Sequence, residues 1–420
     1  MEIMEIKRDL YLNELISHKH NGLIKIVSGI RRCGKSYLLF ELFKKHLISE
    51  KVDKHRIIAI ALDDFAQIEY RDPKKCYNYV KSRIKDSKMH YLLLDEVQLM
   101  DNFQDVLNGF LHIKNLDVYV TGSNSKFLSS DVVTEFRGRG DEIRVYPLSF
   151  SEFYSVTGGD WYSAWQQYYT FGGMPMVLNC KTQAEKNRYL SNLFKETYLK
   201  DIIERNHVKT SGDLEELLSI IASNIGSLTN PKKLFDTFNS VKKSSISAPT
   251  IKQYLDYFQD SFLISKAVRY DIKGKRYIST PLKYYFCDMG LRNALLNFRQ
   301  IEATHIMENV IFNELNIRGY AVDVGEVVLW QKNKNNKFAK TATEVDFVVN
   351  NASKRYYIQS SLEMPTNEKL EQEERSLLAI KDAFRKIIIV ERDILPQHDN
   401  NGVSIIGLKD FLLNKNSLEL

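Results

Sequence analysis

The chain has 420 residues, 44% of them hydrophobic, with 59 Lys and Arg against 53 Asp and Glu for a net charge of +6. That length accommodates about two to four domains, and no apolar run approaches the roughly 18 residues of a membrane span. The acidic start Met1-Glu2-Ile3-Met4-Glu5 lacks a signal-type apolar core, and Cys33, Cys76, Cys180 and Cys287 lie too far apart for metal-ligand spacing; no membrane partner, reduced thiols and a cytoplasmic location are expected.

In chain order, Leu23-Ile24-Lys25-Ile26-Val27 reads as a buried strand. It leads into Gly29-Ile30-Arg31-Arg32-Cys33-Gly34-Lys35-Ser36, which matches the phosphate-loop pattern G-x-x-x-x-G-K-[ST] at every fixed position. Tyr37–Phe43 then reads as a helix. Strand, glycine loop and helix are the context that pattern requires. Backbone N–H groups from Gly29 to Tyr37 can turn inward around phosphate oxygens at a helix N-terminus. Lys35 then reaches the β/γ-phosphates and Ser36 ligates Mg²⁺. ATP and Mg²⁺ are the expected ligands.

Ile57–Leu62 is the next candidate strand. Tyr91-Leu92-Leu93-Leu94 follows and ends in Asp95-Glu96, the Walker B form. Asp95 is expected to hold the metal, directly or through water, and Glu96 to polarise the water that attacks the γ-phosphate. Val118–Thr121 and Ile143–Tyr146 bring the strands to five, alternating with helical patterns. This predicts an α/β unit with a parallel sheet covered on both faces. Ligands bind at the C-terminal strand ends of such sheets, where both motifs fall.

Ser151 to about Thr210 reads as helical, with Gly172-Gly173-Met174-Pro175 as a loop for which a hinge is one use. Asp213–Ile225 places Leu214, Leu217, Leu218 and Ile221 on one helical face. Ser247 is a good N-cap for the next helix, which faces Ile251, Tyr254, Leu255 and Phe258 inward. Leu263–Tyr270 and Arg276–Ser279 read as a hairpin around Ile272-Lys273-Gly274-Lys275. Helices followed by a basic hairpin resemble a winged helix. The window from Pro231 to Tyr285 holds eleven Lys or Arg and four Asp, a local +7 against a nearly neutral remainder. Lys242, Lys243, Lys252, Lys273, Lys275 and Arg276 are its candidate DNA contacts; a solvated basic face is the alternative reading.

The last 120 residues begin with the helix Ile306–Ile317, ended by Gly319. Strands Glu344–Val349 and Tyr356–Ser360, a charged helix Asn367–Phe384 and a strand Lys386–Val390 follow. Glu308 shares the apolar helix face of Ile311, Phe312 and Leu315, where a carboxylate needs a partner. Asp346 shares a strand face with Glu344.

These strings together resemble the bacterial and archaeal AAA+-type ATPases that carry a C-terminal domain of unknown function. The likeness rests on the two Walker elements, Val120-Thr121-Gly122-Ser123-Asn124-Ser125, Gly138-Arg139, Tyr146-Pro147-Leu148-Ser149-Phe150-Ser151-Glu152-Phe153, Glu308–Leu315 and Glu344–Val349. The resemblance implies a polar γ-phosphate sensor at Ser123 or Asn124. It also implies an arginine finger at Arg139, with Arg137 its competitor, acting on a neighbouring subunit of a homo-oligomer. The C-terminal domain resembles the restriction-endonuclease-like fold, in which Glu308, Asp346 and Gln359 would form a metal site. The lysine place of that pattern is Ser361, so an efficient nuclease is not expected, although Lys354 or Arg355 could substitute spatially.

The expected architecture is an AAA+-like P-loop core over residues 1–150, a helical lid over 151–210, a winged-helix-like region over 211–300 and a degenerate endonuclease-like domain over 301–420. The expected activity is Mg²⁺-dependent ATP hydrolysis in a motor or switch acting on DNA. The alternatives are an ATP-dependent regulator or scaffold with protein partners, or an ATP-coupled nuclease. No H-R-D or D-F-G string supports a protein kinase.

Overall fold

The computed structural model describes residues 6–122, 138–242, 246–332, 338–362 and 374–419. They form two compact units, residues 1–148 with 260–262, and residues 149–259 with 263–420.

The first unit is built on five parallel strands, β1 (Ile24–Ser28), β2 (Ile57–Ala61), β3 (His90–Asp95), β4 (Leu116–Thr121) and β5 (Gly140–Arg144), in the order β2-β3-β4-β1-β5. Strands β1, β3 and β4 are buried along their whole length. Their continuous Ile, Leu and Val content, rather than alternation, is what a strand covered on both faces demands. Ile26, Ile60, Leu92, Leu94 and Val120 pack with Val80 of the helix Pro73–Arg83 and with Leu107 and Phe110 of the helix Phe103–Phe110.

Lys25 interrupts the apolar run of β1 and is nevertheless fully buried. Its ammonium pairs with the carboxylate of Asp117, donates to the Leu23 carbonyl at 2.8 Å and stands 4.7 Å from the centre of the Tyr119 ring. Burial pushes the Lys25 amine down, and Asp117 opposes that push.

In the second unit the sequence-predicted helices appear with their expected buried faces. Leu214, Leu217, Leu218 and Ile221 are buried on Ser211–Ser223, and Ile251, Tyr254, Leu255 and Phe258 on Ala248–Asp260. Ser247 Oγ accepts the Thr250 N–H at 3.3 Å. The hairpin also appears, as β6 (Ile264–Asp271) and β7 (Arg276–Phe286). It does not stand alone. β6 pairs in parallel with β8 (Ala321–Lys332), which continues through β9 (Phe338–Asn351), β10 (Lys354–Ser361), β11 (Arg385–Val390), β12 (Gln397–His398) and β13 (Ser404–Gly407). The hairpin and the C-terminal strands share one eight-stranded sheet, ordered β12-β13-β11-β10-β9-β8-β6-β7. Residues 367–373 of the expected helix Asn367–Phe384 lie outside the described residues; 374–378 are helical but 379–384 are not, so the helix ends six residues early.

The Gly172–Pro175 loop and the chain entering it are held by hydrogen bonds in this structure. Gly172, Gly173 and Met174 are buried. The Gly173 N–H donates to Asp288 Oδ2 at 2.6 Å, and Asn293 Nδ2 donates to the carbonyls of Tyr169 and Thr170 at 2.9 Å each. A Cβ on Gly172, whose φ is +73°, would stand 2.2 Å from Asp288 Oδ1. Burial pushes the Asp288 carboxyl up to about 6, although N–H groups of Leu291, Gly173 and Gly290 favour its charged form.

A buried ammonium without its carboxylate is strongly destabilising. Asp117→Ala is therefore expected to cost about 3–5 kcal/mol of unfolding free energy in urea. The apolar pair Lys25→Met/Asp117→Leu should recover most of that loss, and failure to recover it would show that the pair is not the source of the effect.

Candidate active site

The phosphate loop joins the end of β1 to a helix that runs through Lys35–Tyr37, a π-type stretch Leu38–Phe43, and Lys44–Ser49. Gly29 and Gly34 have φ of +135° and +101°, a region open to glycine at little cost. A Cβ on Gly29 would stand 2.1 Å from the Val145 carbonyl oxygen, so the loop lies directly against the chain leaving β5. Lys35 is buried, and its ammonium folds over the loop to donate to the carbonyls of Gly29 at 2.9 Å and Ile30 at 3.0 Å. Arg31 and Arg32 are exposed, while Ser36 and Tyr37 are half-buried.

Strand pairing sets the level of the other groups. Val27 is opposite Thr121, and Leu94 is opposite Val120, so the last residues of β3 and β4, Asp95 and Thr121, end side by side next to the loop. Thr121 Oγ1 donates to Asp95 Oδ1 and accepts the Glu96 N–H at 3.1 Å. Ser36 also donates to Asp95. Burial pushes the Asp95 carboxyl above its usual range; the Thr121 and Ser36 hydroxyls oppose this, and the charges of Glu96 and Asp63 add to it. Glu96 has φ +51°, an uncommon conformation for a side-chain-bearing residue, and its carboxylate accepts from Gln98 Nε2. Thr121 and Gln98 were not singled out from the sequence. Thr121 was a hydroxyl at the end of a candidate strand and lay within the family-like string Val120–Ser125, but it was given no role.

Ser123, Asn124 and Arg137 lie outside the described residues. Arg139 is exposed at the opposite end of the sheet, where its carbonyl accepts the Ile24 N–H at 2.9 Å. The five residues of β1 separate that level from Gly29, a distance of about 16 Å along the strand. Lys252, Lys273, Lys275 and Arg276 are exposed, the last three at the β6–β7 turn. Lys243 and the Lys242 side chain lie outside the described residues. Part of the basic excess is internally matched. Arg269 pairs with Glu326, Arg276 with Asp271 at 3.4 Å, and Lys283 is buried.

Lys283, on β7, is a buried cation set among carboxylates. Its ammonium lies 2.8 Å from Glu308 Oε1 and 2.5 Å from Glu344 Oε1, and Tyr285 donates to the same Glu308 oxygen at 2.6 Å. Asp346 Oδ2 accepts the Ser360 N–H at 2.8 Å, and the Asp346 N–H donates to Gln359 Oε1 at 3.3 Å. The structure thus brings Glu308, Asp346 and Gln359 together. The spatial substitutes suggested by sequence are engaged elsewhere, Lys354 with Glu419 and Arg355 with Asn350. Burial alone would push the Lys283 amine down, but Glu308, Asp346 and Glu344 together hold it above its ordinary value. Burial, then the Glu308 charge, raises the Asp346 carboxyl well above its ordinary range. Among the described residues no group of three or more His, Cys, Asp or Glu is arranged to hold a metal ion.

Residues 21–154 match the AAA domain family, and residues 162–302 match a domain of unknown function. An uncharacterized protein of Haemophilus influenzae is 33% identical over 414 residues, covering 97% of this chain and 98% of that protein. The chain belongs to one family with that uncharacterized protein, and its residues 21–154 are an AAA domain. Nucleotide binding is the property this domain implies. An uncharacterized protein of Methanocaldococcus jannaschii is 27% identical, covering 96% of this chain and 85% of its own length. Among solved structures, the Aeropyrum pernix ORC1 protein in complex with DNA overlaps 70% of this chain and 93% of its own, with a TM-score of 0.29 at 10% identity. No helix among the described residues is long and apolar enough to cross a membrane.

A hydrogen bond to a charged group contributes about 1.5–3 kcal/mol. Thr121→Val keeps the shape of the side chain but loses both the donor to Asp95 and the acceptor for Glu96. Turnover of ATP should fall roughly 10- to 100-fold, with nucleotide affinity changed far less. A steady-state ATPase assay in which Thr121→Val matches the wild type would remove Thr121 from the site.

Proposed function

We propose that this chain is a Mg²⁺-dependent ATPase that works as a switch or motor on DNA. The observation that carries the ATPase part is the convergence of Lys35, Ser36, Asp95, Glu96 and Thr121 at the ends of three adjacent strands. Backbone N–H groups of the loop receive the phosphate oxygens, and Lys35 balances the β/γ charge. The hydrogen-bonded hydroxyl of Ser36 and carboxylate of Asp95 are hard oxygen donors, the kind Mg²⁺ takes. Ser36 and Asp95 would hold Mg²⁺, which would supply charge neutralisation at the phosphate oxygens. Glu96, steadied by Gln98 and Thr121, orients and polarises the attacking water.

Arg139 stands too far along the sheet to serve its own nucleotide, which favours action on a neighbouring copy. Mixing Arg139→Ala and Lys35→Ala chains should then restore part of the activity each lacks alone. Full turnover by a monomer in light scattering would end that role.

Glu96→Gln should retain ATP binding while turnover falls, because an amide polarises water less than a carboxylate. Lys35→Ala should weaken binding itself. Equal turnover by Glu96→Gln and wild type would remove the proposed role of Glu96.

The DNA part rests on Lys252, Lys273, Lys275 and Arg276, which are exposed. Phosphate contacts release counterions, so affinity for duplex or single-stranded DNA should drop steeply between about 50 and 200 mM salt. Joint charge reversal at Lys273, Lys275 and Arg276 should abolish most of it. Absence of binding at low salt would favour a protein target, a reading to which the internally matched Arg269 and Lys283 already lend weight. No Mg²⁺- or Mn²⁺-dependent cleavage is expected of that DNA. The side chains of Lys283 and Glu308 are only 3% and 8% exposed, which leaves a phosphodiester little access to the cluster.

A further inference from the structure

We propose that Arg8, which lies outside the nucleotide-binding motifs, sets the orientation of the peptide between Cys33 and Gly34 and so completes the phosphate cradle. This rests on the ATPase reading above and adds a positioning residue to it.

Arg8 immediately precedes the helix Asp9–Ser17 and is 2% exposed. A buried guanidinium is costly unless its donors are used. Here Nη1 donates to the Cys33 carbonyl at 3.0 Å and Nη2 to the Tyr146 carbonyl at 2.6 Å, while the guanidinium carbon lies 4.7 Å from the centre of the Tyr11 ring. Tyr11 accepts the Tyr146 N–H on its hydroxyl at 3.2 Å. Residues three apart on the first helical turn therefore grip both peptide groups of Tyr146. The phosphate loop is pressed against the same stretch, through the close approach of Gly29 to the Val145 carbonyl and the Cys33 Sγ contact to that oxygen at 3.4 Å.

The consequence follows from peptide planarity. In a trans peptide the C=O of Cys33 and the N–H of Gly34 point in opposite directions. A donor that holds the carbonyl on the Arg8 side turns the Gly34 N–H to the other side, toward the hollow that receives phosphate. Gly34 has φ +101°, and glycine resists reorientation of its peptide less than any other residue. An external restraint therefore has an effect here that the loop's own sequence does not supply. The guanidinium also leaves a fixed positive charge behind the loop, which favours a polyphosphate.

The test is equilibrium titration of the full-length chain with fluorescent ATP and ADP analogues, with thermal midpoints measured alongside. Arg8→Ala should bind both nucleotides about 10- to 100-fold more weakly. Arg8→Lys keeps the charge but not the two-pronged donor, and should recover only part of that loss. Leu15→Ala, at a fully buried position of the same helix, should lower the midpoint without a comparable loss of affinity. Wild-type affinity in folded Arg8→Ala would overturn the inference. So would wild-type affinity in Arg8→Lys if the alanine variant does not fold, or an equal loss in Leu15→Ala, which would reduce Arg8 to general packing. Failure of the unaltered chain to bind nucleotide would sink the ATPase reading itself, and this inference with it. Tight wild-type binding beside an indifferent Arg8→Ala would sink this inference alone.

Discussion

The candidate site depends on the in-register parallel pairing of β3, β4 and β1. Each strand contributes its last residue or the residue just beyond it. Because β4 lies between the other two, Thr121 stands between the phosphate loop and Asp95. One hydroxyl can therefore donate to Asp95 while it accepts from the backbone of Glu96. A slip of one residue in β4 would turn the Thr121 side chain to the other face of the sheet. The two faces of β4 differ, which protects the register: a slip would take Val118 and Val120 off the face they share with Leu92 and Leu94 and bring Asp117, the partner of Lys25, onto it.

The fold keeps several charges inside, each in a different way. Lys25 and Asp117 neutralise one another within the central sheet. Asp288 is held by backbone N–H groups and locks the Gly172–Pro175 loop to the start of the helix Met289–Leu295. Lys283 bridges Glu308 on a helix to Glu344 on β9. Such groups stabilise only when every partner is present, so each ties together elements distant in sequence. In the C-terminal cluster Lys283 is buried and engaged directly by two carboxylates.

The N-terminal helix shows how a local site acquires remote supports. The inward N–H groups of a phosphate loop leave carbonyls that face outward and need donors. Arg8 reaches one of them from 25 positions upstream. The same groups hold the chain leaving β5, so the loop, β5 and the first helix share one set of contacts within the first unit.

The phosphate loop, the Walker B carboxylates and four of the five strands were legible in the sequence because their signals are local, whereas β5, expected at Ile143–Tyr146, lies at Gly140–Arg144 because that polar stretch pairs only at the sheet edge. A glycine loop needs particular residues at fixed spacing, and a doubly covered strand needs an unbroken apolar run. The faces of Ser211–Ser223 and Ala248–Asp260 were legible for the same reason, since helical periodicity repeats within a few turns. The partners of Lys25, Glu308 and Asp288 were not, because ion pairs and buried hydrogen bonds join residues that only the packed chain brings together. Ser361 showed that a lysine was absent from one strand position; it could not show that Lys283 would arrive from another. The sequence by itself determined which ligand class the first unit is shaped for, through the fixed stereochemistry of a short loop. Only the tertiary structure decided which hydroxyl joins the Asp95 carboxylate to the backbone of Glu96, which arginine backs the loop and which lysine occupies the C-terminal cluster. Those choices depend on distances across the fold that no spacing along the chain records.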